Sequence, residues 1–73
     1  MMKQTAMPLS RREQQVLTLL AEGLSAKQIA NCLDISFHTS AQYTKNIYLK
    51  LNIHCRAQAV MKAATLGLIE LTA

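Results

Sequence analysis

Apolar residues recur at three- and four-residue spacing in four stretches of this chain, each opened by a capping position and closed by a helix-breaking one. Val16, Leu17, Leu20 and Leu24 mark the first stretch. It opens at Ser10-Arg11-Arg12-Glu13, a capping box in which the serine hydroxyl and the Glu13 carboxylate each accept the other's backbone N–H. Gly23 ends it, because a left-handed cap suits a residue without Cβ. Ser25-Ala26-Lys27-Gln28 is a second capping box, with Leu24 and Ile29 placed to close a hydrophobic staple. Ile29, Ala30 and Leu33 form the inward stripe of that second helix, and Asp34 falls in a turn. Ser36 then caps a third helix expected to run to about Leu51. A fourth starts near Arg56 and stops before Gly67, with an apolar stripe of Ala57, Val60, Met61 and Ala64 and with Ala59 and Ala63 beside it. Leu68, Ile69 and Leu71 follow and are expected to fold back over the core. The pattern predicts one all-α domain of four helices over residues 9–73. Residues 1–8 show no periodicity and are expected to be a flexible lead-in.

On a helical wheel the third helix puts Ser40, Tyr43, Thr44, Ile47 and Leu51 on its inner face. His38, Ala41, Gln42, Lys45 and Leu49 share the opposite face. Thr39, Asn46 and Lys50 lie along one flank, Phe37 and Tyr48 along the other. Short side chains, an amide and a cation can approach base edges without a bulky obstruction. Such a face is also that of a plain solvated helix. Directly after a capped helix and a tight turn, it fits the helix-turn-helix, whose second helix enters the major groove of DNA while the first crosses the backbone.

Seventy-three residues make one small domain, and with three aromatics its core must be built from aliphatic side chains. A net charge of +4 favours a polyanionic partner. Cys32 is expected as a small buried hydrophobe. Cys32, Cys55, His38 and His54 match no common zinc spacing, and no metal or other cofactor is called for. The chain shows no phosphate loop, nucleophile elbow or carboxylate pair, which points away from an enzyme. Glu13 and Glu22 are explained by helix electrostatics. No apolar run approaches membrane-span length, and with no secretory segment a reducing cytoplasm is the expected location.

From about Leu9 to Ile69 the chain resembles the LuxR-type DNA-binding domain, the four-helix module also called GerE-like or NarL/FixJ-type. The carriers are Leu9-Ser10-x-Arg12-Glu13 with Val16-Leu17, then Ala21-Glu22-Gly23-Leu24-Ser25-x-Lys27-x-Ile29-Ala30. Leu33-x-Ile35-Ser36, His38-Thr39, Lys45-Asn46-Ile47-Tyr48 and Lys50-Leu51 continue the pattern, and Arg56-Ala57-x-Ala59-Val60 with Gly67-Leu68-Ile69 complete it. The resemblance implies a bacterial transcription regulator's output domain, either part of a longer response regulator or a small regulator on its own, bound to double-stranded DNA as a dimer. By family position Ala41, Gln42 and Lys45 would face bases, with Gln42 suited to adenine and Lys45 to guanine. Lys27, Thr39, Tyr43, Asn46 and Lys50 would hold the backbone. Ser25 would aim the start of the second helix at a phosphate, or serve only as a cap. The fourth helix, through Ala57, Val60, Met61 and Ala64, would supply a homodimer contact.

Four positions depart from the family pattern. Ser40 replaces Val or Ile on the inner face, so its hydroxyl is expected to bond a carbonyl one turn back, and valine there is expected to be stabilising. Ala41 stands where many members carry Lys or Arg. Leu49 replaces a common basic residue, and Cys55 replaces the Ser or Thr cap of the fourth helix. Two functions fit: a sequence-specific DNA-binding regulator, or a LuxR-like interaction module that pairs with a larger regulator. The first is the expected function, carried by the capped helix-turn-helix and the polar, basic outer face of the third helix; the lost basic residues and the apolar fourth helix speak for the second as the alternative.

Overall fold

The computed structural model describes residues 9–70 and holds four α-helices. They are α1 (Arg11–Ala21), α2 (Ala26–Leu33), α3 (Phe37–Leu51) and α4 (Arg56–Thr65). The expected lead-in over residues 1–8, and Leu71, lie outside the described residues.

Three of the four starts are capped by serine hydroxyls. The Glu13 N–H donates to Ser10 Oγ at 3.1 Å and the Ser10 N–H to Glu13 Oε1 at 2.9 Å. Ser25 and Gln28 form the same reciprocal pair at 3.2 and 2.8 Å. Ser36 Oγ accepts from the Thr39 N–H at 3.0 Å. Cys55 makes no side-chain cap bond; Gln58 Oε1 instead accepts the N–H of His54.

All four helices end in one way. Gly23, Asp34, Asn52 and Gly67 take left-handed backbone with φ of 100°, 56°, 54° and 78°. The N–H of the next residue then reaches back to a carbonyl in the last turn: Leu24 to Leu19, Ile35 to Ala30, Ile53 to Tyr48 and Leu68 to Ala63, at 2.9–3.1 Å. This is the six-to-one bond of the Schellman motif, which satisfies a carbonyl the helix would otherwise leave unpaired. Asp and Asn tolerate this conformation better than other residues bearing a Cβ. The residue making the bond is apolar each time; Leu24, Ile53 and Leu68 pack into or against the core. Leu24 therefore lies beyond α1 rather than in its stripe.

The helix α1 touches the other three, α2 and α3 pack on each other, and α4 lies chiefly against α1. Val16, Leu17, Ile29 and Ile47 form the fully buried centre, with Leu9, Leu20, Ile53, Ala59 and Ala63 around it. Leu68 and Ile69 fold back against this core as expected.

Three further expectations are corrected. Cys32 is exposed: Ile29, Ala30 and Leu33 set the inward direction of α2, and Cys32 lies about a quarter-turn from their mean. On α4 the packing residues are Ala59 and Ala63, both fully buried, whose lack of bulk lets α4 lie close to α1. Ala57 and Met61 face out, and Val60 and Ala64 are half-buried between. Ser40 has no accessible surface, and its hydroxyl donates across the helix pair to the Ala26 carbonyl at 2.8 Å rather than back along α3. The acceptor is supplied by α2 and not by the preceding turn of α3.

Candidate nucleic-acid interface

A three-residue turn, Asp34-Ile35-Ser36, joins α2 to α3 and is fixed at both ends. Its first residue is the left-handed stop of α2 and its last is the cap of α3. The buried side of α3 is pinned by Ile47 in the core and by the Ser40 bond to α2. Its opposite side is thereby turned to solvent.

On that side His38, Gln42, Lys45 and Leu49 are exposed and Ala41 is half-buried. Gln42 Nε2 donates to Asn46 Oδ1 at 3.4 Å, one turn on, a long bond that a better acceptor would displace. Thr39 and Asn46 are half-buried along one flank of α3, Tyr43 is half-buried against the core, and Lys27 is exposed on the first turn of α2. The Ser36 hydroxyl donates to Thr39 Oγ1 at 2.9 Å, which leaves the Thr39 hydroxyl its own proton to donate. Two large apolar side chains stand out from the same helix, Phe37 at 60% and Leu49 at 70% exposure.

Lys50 differs from the other cations. Its Nζ donates to both oxygens of Glu13, at 2.9 and 3.0 Å. The Glu13 side chain is 5% exposed and that of Lys50 47%. Hydrogen bonding from Lys50 holds the Glu13 carboxyl below its ordinary value of 4.5. Burial opposes this, and the N–H and hydroxyl of Ser10 and the Lys50 charge add to it.

A second long side chain ties helix ends together. Arg56 Nη1 donates to the carbonyl of Leu20 at 2.6 Å and to that of Leu24 at 3.0 Å. It binds the start of α4 to the turn that leads into α2. Neither the Lys50 nor the Arg56 link was anticipated. Each joins residues more than thirty positions apart, and local spacing carries no signal of such a pairing.

Separately, α4 and the α3–α4 connection frame an open groove of about 340 Å³. Ile53, Ala57, Met61 and Thr65 line it. It coincides with the outward part of the α4 stripe.

A capped helix, a short turn with a left-handed stop, and a longer helix with its polar face outward define a helix-turn-helix domain, here braced by α1 and α4. The family model for bacterial regulatory proteins of the luxR family matches residues 7–63. The chain belongs to that family. Among similar curated proteins, the HTH-type transcriptional regulator MalT of Vibrio cholerae is 46% identical over 59 residues. MalT of Vibrio campbellii and of Yersinia pestis are each 44% identical over 59 residues. These alignments cover 81% of this chain and 6% of each relative. The chain thus spans a small part of the curated relatives it matches.

Proposed function

We propose that this domain binds duplex DNA as a sequence-specific transcription regulator in the bacterial cytoplasm, with α3 in the major groove. The observation that carries this is the outer side of α3, where Gln42 and Lys45 stand exposed opposite the buried Ser40 and Ile47. Ala41, Gln42 and Lys45 meet base edges in this proposal, the amide suited to adenine and the ammonium to guanine. Lys27, Thr39, Tyr43 and Asn46 meet phosphates on either side. Membership of a family of regulators supports the same conclusion. Two copies meet through α4, where Ala57 and Met61 are exposed and unused by the fold. Titration of a labelled duplex at several salt concentrations tests the proposal. Counterion release requires affinity to fall steeply as salt rises.

The exposed Phe37 and Leu49 favour a second function. Apolar side chains of that size beside the polar face suit a protein partner, such as a larger regulator that this domain would modulate. No binding at low salt, or binding indifferent to salt, selects this function over the first.

A further inference from the structure

The carboxylate of Glu13 does two things at once. Its Oε1 accepts the Ser10 N–H and completes the cap of α1, and both oxygens accept from Lys50. It is almost wholly buried, and among the described residues no other cation pairs with it. A buried carboxylate that loses its cation is strongly unfavourable. An ammonium has three N–H donors, of which Lys50 gives two to Glu13. The pair carries no net charge and so offers a phosphate little attraction. Lys27 and Lys45 are exposed, and neither side chain makes a hydrogen bond among the described residues.

We propose that Lys50 is a positioning residue that fastens α3 to the capped start of α1, and that it takes no part in phosphate contacts. Lys27 and Lys45 are then the cations that the helix-turn-helix offers to DNA. This assignment rests on the DNA-binding function above and departs from the backbone role implied for Lys50 by family position.

The test is a set of variants: Lys50→Met, Glu13→Gln, the double change, and Lys45→Met as reference. The probe is a labelled duplex of mixed sequence, followed by anisotropy over a range of salt concentrations. Each phosphate neutralised contributes about 0.9 to the slope of log affinity against log salt. Lys45→Met is expected to lower the slope by about that amount. The double variant, which removes the pair without stranding a buried charge, is expected to keep the slope of the unmodified protein. A slope lower by about 0.9 in the double variant overturns the proposal. If the unmodified protein binds no duplex at low salt, the DNA-binding function fails, and the fastening role is judged from urea midpoints. Lys50→Met is then expected to lower the midpoint, with Lys50→Arg and the added Glu13→Gln each recovering part of the loss. A Lys50→Met midpoint equal to that of the unmodified protein overturns it.

Discussion

Ser40→Val is expected to destabilise the domain, although valine is the more apolar residue. Two methyl groups would replace one hydroxyl at a site with no accessible surface. If they fitted, their burial would contribute about 1 kcal/mol. Against this stands the bond from Ser40 to the Ala26 carbonyl, whose loss costs about 1 kcal/mol. The site must also admit an extra heavy atom where α3 approaches α2 closely enough for a 2.8 Å contact between a side chain and a backbone oxygen. Overpacking of this kind costs about 1–3 kcal/mol. The burial gain and the lost bond roughly cancel, which leaves a net loss of about 1–3 kcal/mol, with Tm falling by about 4–8 °C for each kcal/mol in a domain this small. Ser40→Ala separates the contributions, since it removes the bond without adding volume and should cost about 1 kcal/mol. Urea unfolding followed by circular dichroism reads both, as midpoints at unchanged slope. A higher midpoint for Ser40→Val would show that the contact with Ala26 is replaceable by packing, and would refute the reasoning.

Two further outcomes are expected. Glu13 has a folded-state pKa below its ordinary 4.5, so its contribution to stability is complete above that value and is lost as pH falls through the lowered one. The urea midpoint should therefore drop on acidification below about pH 4.5, and Glu13→Gln should flatten that limb; an equally steep limb in the variant would assign the acid loss elsewhere. Met61→Glu, at a side chain 59% exposed on α4, should leave the helices intact and shift any self-associated protein to monomer in sedimentation; an unchanged mass would remove α4 from the interface.

What could be read from the sequence was local. Ser10, Ser25 and Ser36 announce helix starts because a cap and its partner lie three residues apart, and Gly23 and Gly67 announce stops because left-handed backbone selects few residues. The wheel separated Ile47 from Lys45 because periodicity on a long helix outweighs any single substitution. The inward side of α4 was harder. Its apolar and small residues run nearly all the way round, so the choice of Ala59 and Ala63 over Ala57 and Met61 belongs to the surface of α1. The partners of Ser40, Lys50 and Arg56 were invisible for the same reason, since each lies on a different helix or beyond the end of one. On the candidate interface, residue types and exposure were legible. The free or engaged state of each cation was not, because Lys50 and Lys45 differ only in what the fold brings near them.

The turn between α2 and α3 has no slack. Asp34 and the Ile35 N–H lock its entry and the Ser36 hydroxyl locks its exit, and Ile47 and the Ser40 bond to α2 then fix which way α3 faces. None of these locks involves Ala41, Gln42, Lys45 or Leu49. The mount and the surface it presents are separately encoded. If α3 reads DNA as proposed, those four positions can be rewritten for a new target while the helix stays aimed as before, and a lineage can change what such a domain addresses without first having to relearn how to fold it.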